Sequence, residues 1–432
     1  MHKKQRRCVL IPPIVLGLAM AAGLLWLLAA PQAPVEADAP RGAPDPVDVD
    51  RKALTSPGTG SSTCEDGEQA SGAKYRICTP TVTWNGDLVL YAHGYVGPDE
   101  PVEIPEDQMS LPGTGTTIDQ IVTDLGFAFA TTSYYTNGLA VLPALSDLLD
   151  LVHIFTSTKG LPEHIYLAGV SEGGLITALS VEQYPDVYDG GLAMCGPYGD
   201  FQGQINHYGD LRVVFDYFFP DLMPGAPFSV PSSLKDDWRG GFFSTTIEPV
   251  ITDLANITKV TQLLTVTGVS PYRYAPPTST ASISKLLWYN VFAVEDATAK
   301  LGGQPFDNHG RDYTGSSDDS ALNAGVARFS ADQAALDEIQ AHYQTMGKLS
   351  APLVTLHTTG DEGVPYWHAT QYLSKTHTAG SEDLHAHVRV DRDGHCNFTP
   401  IEVLAAFSRL VTMVMERERV SLYLPVIVQG WP

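Results

Sequence analysis

Basic residues are scarce in this sequence, and metal-binding patterns and internal repeats are not visible in it. The 432 residues include 26 Lys and Arg against 49 Asp and Glu, which gives a formal net charge of −23. Nucleic acids and anionic lipids would be repelled by such a chain, so no nucleic-acid partner is expected. The 13 histidines show no zinc-type spacing, and we expect neither a metal nor an organic cofactor. Charged residues make up only 17% against 44% hydrophobic residues, a ratio that allows a sizeable buried core.

The N-terminus carries the pattern of an export segment. Four basic residues between Lys3 and Arg7 precede an apolar run at residues 9–30, which is long enough to span a bilayer as a helix. A small-residue site at Val35–Ala37 would allow cleavage before Asp38. A removed signal peptide and a retained membrane anchor over residues 1–37 both remain open. Either one predicts an extracytoplasmic protein, secreted or tethered to the membrane.

The cysteines agree with export. Cys8 lies in the targeting segment, which leaves an even number for the body of the protein: Cys64, Cys78, Cys195 and Cys396. In an oxidising compartment an even number favours disulfides, and four cysteines allow three pairings. We favour a Cys64–Cys78 pair that closes a short N-terminal loop. Four buried free thiols are the alternative.

Short apolar runs alternate with segments of helical period along most of the chain. Residues 38–74 are expected to be a Pro- and Gly-rich linker and an N-terminal loop. Alternation then fills residues 75–200 and resumes at residues 350–432, which indicates an α/β fold with a mostly parallel sheet flanked by helices. The expected strands lie at residues 88–92, 127–131, 165–170, 192–195, 353–356 and 385–390.

The alternation breaks over residues 201–349. This region holds clustered aromatic residues, many prolines and helical stretches near residues 320–329 and 331–346. Because strands and helices resume directly afterwards, we expect a cap or lid inserted between two strands of one domain. A second independent domain is the alternative. The aromatic residues could bind an apolar substrate, but core burial of the insertion is the favoured interpretation.

The segment Gly169–Gly173 matches the motif G-x-S-x-G, and it lies between an expected strand and an expected helix, as this motif does in serine hydrolases. It follows a β-run and opens a helical run, so Ser171 is expected on a sharp strand-to-helix turn with its hydroxyl exposed. Gly169 and Gly173 would relieve close contacts at that turn. Ser171 is therefore the candidate nucleophile.

A serine nucleophile needs a base and an acid that orients the base. Asp361 follows the expected strand 353–356, and His395 follows the last expected strand, so both would lie at the same edge of the sheet. Glu362 is the rival acid. We prefer Asp361 because it is the first carboxylate after its strand.

An oxyanion hole requires two N–H donors held in place in advance. The backbone N–H of Glu172 is one candidate, since it follows the nucleophile. The other is the N–H of Tyr95, in the turn after the first strand, with Gly94 shaping that loop. His93 is expected to support the same loop rather than to act as a second base.

The segments AHGYVGP, GVSEGG, GDEGVP and DGHCNF, in this order, resemble the α/β-hydrolase superfamily. The match covers residues 80–200 and 350–418 and leaves the insertion outside it. This resemblance implies an α/β-hydrolase fold and a serine hydrolase that uses Ser171, His395 and Asp361. The run from Asp361 to Pro365 also resembles prolyl-oligopeptidase-like peptidases.

His395 followed directly by Cys396 resembles the tannase and feruloyl-esterase group, in which a disulfide ties the histidine loop to a cysteine before the serine. Here Val170 stands before Ser171. Cys195, however, ends the next strand and would lie at the same end of the sheet. A Cys195–Cys396 bridge is therefore expected to hold the catalytic loop by another route.

Together these features predict an exported serine hydrolase that cleaves a carboxylic ester through an acyl-enzyme. A serine peptidase acting on short peptides would use the same groups and is the alternative. A non-catalytic binding protein on a hydrolase scaffold is the third possibility, although such proteins usually lack a member of the triad.

Overall fold

A computed structural model describes residues 62–110, 115–269 and 278–429 of the chain. The expected export segment at residues 1–37, with its apolar run at 9–30, lies outside the described residues. So do residues 38–61 of the expected linker. In the last helix, side chains are described up to residue 419.

Eight strands form one sheet within the described residues. They are β1 (Ser62–Glu68), β2 (Lys74–Pro80), β3 (Leu88–Ala92), β4 (Ala128–Thr132), β5 (Ile165–Val170), β6 (Gly190–Met194), β7 (Leu353–Gly360) and β8 (His385–Asp393). The strand order is β1-β2-β4-β3-β5-β6-β7-β8. The pairs β1–β2 and β2–β4 are antiparallel, and all other neighbours are parallel. The predicted mostly parallel sheet is confirmed.

The sheet begins earlier in the chain than the sequence indicated. Residues 62–68 and the start of β2 were expected to be loop within the linker at 38–74, but they form an antiparallel hairpin at one edge. Cys64 and Cys78 are direct partners in its register and are joined by a disulfide. The expected pairing is therefore present, and the loop that the bridge closes is a β-hairpin of two paired strands.

Helices lie between and beside the strands. They are α1 (Glu106–Met109), α2 (Ile118–Asp124), α3 (Val141–Lys159), α4 (Glu172–Gln183), α5 (Phe201–Phe218), α6 (Ser232–Arg239), α7 (Glu248–Ile251), α8 (Ile257–Val266), α9 (Thr278–Lys300), α10 (Asp319–Gly325), α11 (Gln333–His342), α12 (Trp367–Ala379) and α13 (Pro400–Gln429). A π-helical turn (Phe243–Ile247) and two 3₁₀ turns (Leu254–Asn256 and Glu382–Leu384) complete them.

Helices cover both faces of the sheet. Residues of β3 alternate between the faces, as they must in a strand: Leu88 and Leu90 belong to the buried cluster that includes α3 and α4, and Val89 belongs to the cluster that includes α13. Both faces are thus buried, which explains why the central strands read as continuous apolar runs. Among the described helices, α3 is long and apolar enough to cross a membrane by length and composition, yet its Leu148 and Leu151 are buried in the core beside the sheet.

The residues between β6 and β7 form helices α5 to α11. They have a hydrophobic cluster of their own, which includes Phe215, Phe219, Leu263 and Leu286. The aromatic residues of this region mostly belong to that cluster. The favoured interpretation of the aromatic residues as core is therefore confirmed for most of them. Four aromatic residues of this region line the cavity described below: Phe201, Tyr208, Phe228 and Tyr289.

Candidate active site

Ser171 occupies a sharp turn between β5 and α4. Its backbone has φ 56° and ψ −121°, and a positive φ is rare for a residue with a side chain. The Ser171 N–H donates a hydrogen bond to the carbonyl of Met194, 2.9 Å away on the neighbouring strand. Strained backbone of this kind persists where surrounding contacts hold it, and it is often found at functional sites.

Glycine is required on both sides of Ser171 for steric reasons. A Cβ added at Gly169 would overlap the backbone of Gly173 and the side chain of Thr177. A Cβ added at Gly173 would overlap the carbonyl of Ala92. Helix α4 can therefore start this close to β3 and β5 only because both positions lack a side chain.

The structure brings His395 and Asp361 to Ser171. The Nε2 atom of His395 lies 2.8 Å from the Ser171 hydroxyl. The Nδ1 atom of the same ring lies 2.8 Å from Asp361 Oδ2 and 3.0 Å from Oδ1. With its hydrogen on Nδ1, the imidazole donates to the carboxylate and leaves Nε2 free to accept the serine proton. The three side chains thus form one continuous chain of hydrogen bonds.

Asp361 is buried, with 6% of its surface exposed, and it is held by its own loop. Its Oδ1 accepts hydrogen bonds from the N–H groups of Gly363 (3.0 Å) and Val364 (2.8 Å). Burial alone would raise the pKa of Asp361, but the charge and hydrogen bond of His395 outweigh burial and hold that pKa below its ordinary value. The carboxylate therefore stays ionised beside the imidazole.

Glu362, the rival acid, points elsewhere. Its carboxylate pairs with Lys285 of α9 at 3.1 Å, and its backbone carbonyl accepts from His207 at 2.9 Å. Of the two neighbouring carboxylates, only that of Asp361 contacts His395.

The disulfide between Cys195 and Cys396 is present in the structure. Cys195 directly follows β6, and its N–H donates to Leu356 of β7 at 2.8 Å. The bridge therefore fixes the residue next to His395 to the centre of the sheet. The two groups of possible metal ligands found among the described residues each contain a disulfide, so their sulfurs are not free thiolates.

The loop after β3 lies against the nucleophile. A Cβ added at Gly94 would meet the Cβ of Ser171 at 3.2 Å, which shows how closely this loop approaches the nucleophile. The backbone N–H groups of Tyr95 and Glu172, the expected oxyanion donors, have no hydrogen-bond partner within the part of the chain that the structure describes. Both residues line the same cavity as Ser171.

Gln108 holds this loop and was not predicted from the sequence. Its side-chain oxygen accepts from the Gly94 N–H at 2.8 Å, and its side-chain nitrogen donates to the Tyr95 carbonyl at 3.2 Å. Gln108 lies in the four-residue helix α1, which is too short to show a periodic pattern. No sequence signal therefore points to it.

His93 is buried beside the loop and away from the triad contacts. Its ring stacks on Tyr134 at 4.0 Å between centroids, and its Nδ1 lies 2.7 Å from the Gly94 carbonyl. Burial lowers the pKa of His93 to about 4, so the ring is neutral at physiological pH. These contacts are those of a loop-supporting residue.

The side chain of Glu172 is buried at the cavity. Its Oε1 accepts from the Ala140 N–H at 3.0 Å, and its Oε2 has no hydrogen-bond partner among the described residues. Burial raises the pKa of Glu172 to about 8, which favours a neutral carboxylic acid near pH 7.

A cavity opens beside Ser171 between the sheet and the insertion. It encloses about 860 Å³, including the part open to solvent. Helices α5 and α9 supply most of its wall, and the lining is largely apolar and aromatic: Tyr95, Leu139, Pro197, Phe201, Ile205, Tyr208, Phe228, Tyr289, Ala293, Val294, Ala297, Pro305 and Val364. The polar side chains Gln204 and Asn290 also line it, but their hydrogen bonds are made to other protein groups.

Neither models of known protein families nor characterised protein sequences match this sequence. Solved structures match it with low similarity. An acylaminoacyl peptidase from Pyrococcus horikoshii matches at 12% identity and a TM-score of 0.38, over 78% of this chain and 38% of the peptidase. This chain thus spans well under half the length of that peptidase.

Two esterases match over most of their own length. An esterase from Pyrococcus furiosus has 10% identity and a TM-score of 0.42, over 83% of this chain and 91% of the esterase. The rice cell wall degrading esterase LipA from Xanthomonas oryzae has 11% identity and a TM-score of 0.40, over 82% and 88%. These similarities are too low to bear on function. The strand order, the helices on both faces and the sharp turn at Ser171 show that this chain has the α/β-hydrolase fold.

Proposed function

We propose that this protein is a serine hydrolase that cleaves carboxylic esters through an acyl-enzyme. The observation that carries the proposal is the hydrogen-bonded series Ser171–His395–Asp361, which opens onto an apolar cavity. A nucleophile, a base and an orienting acid in mutual contact are the minimum for this chemistry.

In the first half of the reaction the Ser171 hydroxyl attacks the ester carbonyl carbon while His395 Nε2 takes its proton. Asp361 stabilises the imidazolium that forms, because its ionised carboxylate already contacts Nδ1. The carbonyl oxygen becomes an oxyanion, and the N–H groups of Tyr95 and Glu172 would stabilise it. The tetrahedral intermediate then expels the alcohol, which receives the proton from His395, and the acyl group remains on Ser171.

In the second half a water molecule replaces the alcohol. His395 accepts a proton from water as the water oxygen attacks the acyl carbon, and the same oxyanion donors act again. Collapse of this intermediate returns the proton to the Ser171 oxygen and releases the carboxylic acid. No group of the chain is consumed.

The cavity wall supports a substrate with an apolar portion. Its lining is mainly aliphatic and aromatic, and burial in such a wall stabilises apolar groups in proportion to their area. Among the described residues that line it, Glu172 is the only acidic or basic side chain, and its raised pKa of about 8 favours the neutral form. A charged peptide terminus would therefore find no opposite charge in the cavity, which favours an ester over a short peptide as substrate.

An extracytoplasmic location fits this assignment. The two disulfides of the structure are typical of an oxidising compartment. The basic and apolar N-terminal residues supply either a removed signal or an anchor at residues 9–30. The insertion at residues 201–349 would then act as a cap, since its helices α5 and α9 wall the cavity above Ser171.

The proposal is tested with a panel of p-nitrophenyl esters of increasing acyl length beside aminoacyl p-nitroanilides. We expect ester hydrolysis that is abolished in Ser171→Ala and nitroanilide turnover that is much weaker. Nitroanilide turnover that equals or exceeds ester turnover would make the protein a serine peptidase. Absence of both activities in folded protein would favour a binding protein on this scaffold.

A further inference from the structure

Four consecutive residues, Asn137 to Ala140, connect the insertion to the loops around Ser171. They lie between β4 and α3, in a segment for which the sequence indicates no function. We refer to them as segment 137–140. Each of its backbone N–H groups from Gly138 to Ala140 donates to a different part of the molecule.

On one side, segment 137–140 is bound to helix α9 of the insertion. The Leu139 N–H donates to Asp296 Oδ2 at 2.7 Å, and Lys300 donates to the Asn137 carbonyl. Lys300 also pairs with Asp296 at 2.9 Å, one helical turn away. The Asp296 carboxylate lies so close to Gly138 that a Cβ there would overlap it, and Gly138 has a φ of +73°. Glycine is therefore required where the segment passes over Asp296.

On the other side, segment 137–140 is hydrogen-bonded next to one proposed oxyanion donor, Tyr95, and to the side chain of the other, Glu172. The Gly138 N–H donates at 2.9 Å to the carbonyl of Val96, the residue after Tyr95. The Ala140 N–H donates at 3.0 Å to the side chain of Glu172. The Asn137 side chain adds a hydrogen bond of 2.7 Å to the Glu100 carbonyl, further along the Tyr95 loop.

We infer that Asp296 is a positioning residue, through which the insertion sets the placement of the oxyanion donors Tyr95 and Glu172. This inference rests on the proposed function, because the donors have a role only if an oxyanion forms. The physical reason is that such donors act only when they are held in place before reaction, and small displacements cost much of their effect. The insertion thus contributes to the chemical step as well as to the cavity wall.

A purely structural role for Asp296 would have different consequences. The carboxylate is partly shielded, with 15% of its side chain exposed, and its pair with Lys300 is of a kind that stabilises helices modestly. If that were all, its loss would lower thermal stability and leave the turnover of correctly folded enzyme unchanged. The neighbouring pair Glu295–Lys235, at 2.9 Å, supplies the control, because Glu295 lies on the same helix and, among the described residues, forms its ion pair with Lys235 and no hydrogen bond to segment 137–140.

The experiment compares Asp296→Ala, Asp296→Asn and Glu295→Ala with the wild-type enzyme. The readouts are kcat for p-nitrophenyl acetate, the inhibition constant of an alkyl trifluoromethyl ketone, and the melting temperature. The ketone forms a hemiketal with Ser171: a new Oγ–C bond replaces the carbonyl π bond, the ketone oxygen becomes an oxyanion, and the Ser171 proton passes to His395 Nε2. Its affinity therefore reports on the donors directly.

We expect Asp296→Ala to lower kcat and ketone affinity together by about 10- to 100-fold, which is less than the effect of removing one donor outright. Asp296→Asn keeps an oxygen that can accept from the Leu139 N–H and should recover most of both losses. Glu295→Ala should leave both near the wild-type values.

Equal kcat and ketone affinity in Asp296→Ala and Glu295→Ala would overturn the inference, and so would a loss confined to the melting temperature. If Asp296→Ala fails to fold, Lys300→Met decides through the same readouts, because Lys300 also contacts segment 137–140 and its loss should lower kcat and ketone affinity by a smaller factor. Unchanged kcat and ketone affinity in folded Lys300→Met would then overturn the inference. Wild-type protein without ester hydrolysis or ketone binding would instead refute the proposed function, so the two failures are distinguishable.

Discussion

Cys195 and Cys396 are joined by a disulfide across a separation of 201 residues, and Cys396 directly follows His395. The residue next to the histidine of the proposed triad is therefore tied to the residue that directly follows β6. Both cysteines have positive φ values, 44° and 52°, so the bridge joins two residues whose backbone conformation is rare for residues other than glycine.

This bridge is expected to support activity as well as stability. We predict that Cys195→Ser/Cys396→Ser loses about 2–5 kcal/mol of unfolding free energy, and that kcat falls because the His395 loop is released. Urea denaturation and ester kinetics below the unfolding transition measure the two effects. The matched control, Cys64→Ser/Cys78→Ser, removes the bridge in the edge hairpin and should lower stability alone. Equal kcat in the two double variants would contradict this role.

The acid of the triad can be identified by a pair of neighbouring substitutions. Asp361→Asn keeps the shape of the side chain but removes the charge that stabilises the imidazolium, so kcat should fall by about 10³- to 10⁴-fold. Glu362→Gln removes a carboxylate that contacts Lys285 and not His395, so kcat should change little. Steady-state ester kinetics decide between them, and a larger loss in Glu362→Gln would reverse the assignment.

The cavity wall predicts a specific change in substrate preference. Ala293 and Ala297 are spaced one turn apart on α9 and both line the cavity. Ala297→Leu should fill part of it and lower kcat/KM for an octanoyl ester by about 10-fold or more, since excluding even one methylene from a hydrophobic pocket costs about 1–3 kcal/mol. The acetyl ester should be affected much less. Ala299→Leu, at an exposed position of the same helix, is the control. A uniform loss for all acyl lengths would argue against acyl binding there.

Buried histidines predict that stability declines on acidification. Burial lowers the pKa of His385 to about 3 and that of His387 to about 4, from an ordinary value of 6.5. Between these values and pH 6.5 the unfolded chain binds more protons than the folded chain, so the free energy of unfolding decreases as the pH falls. Each histidine contributes up to about 1.4 kcal/mol per pH unit.

Urea denaturation between about pH 4.5 and 6.5 measures this slope. The ring of His387 is held by Thr355 and Tyr366, each at 2.9 Å, and neither partner replaces a lost proton-binding site. His387→Asn should therefore flatten the slope, whatever its stability at neutral pH. An unchanged slope would show that His387 does not contribute to it.

Much of the fold was predictable because its signals are local. Buried parallel strands read as apolar runs, and the G-x-S-x-G turn needs glycine on both sides of Ser171 for steric reasons that the structure makes visible at Ala92 and Thr177. The proximity of Asp361 and His395 could be predicted because residues that follow parallel strands meet at one edge of the sheet. Each of these inferences uses only a strand and the residues next to it.

The remaining features depend on contacts between residues far apart in the sequence, and no local sequence pattern indicates such contacts. The sequence of β1 predicts a loop because its residues are mostly polar and show no apolar alternation. In the structure these residues are mostly exposed, and the strand is held by its pairing with β2 and by the Cys64–Cys78 bridge. Gln108 and Asp296 make hydrogen bonds to backbone groups, which every residue type carries, so the sequence of the partner segment gives no sign of the contact. The bond from Leu139 to Asp296 spans 157 residues, which no periodicity can indicate.

The central claim is that Ser171 is a nucleophile activated by His395. Its most direct test is labelling of the folded protein with a fluorophosphonate, followed by mass spectrometry of the digested protein. We predict one phosphonate on Ser171, no labelling in Ser171→Ala, and strongly reduced labelling in His395→Ala. A phosphonate on another residue, or undiminished labelling in folded Ser171→Ala, would contradict the account.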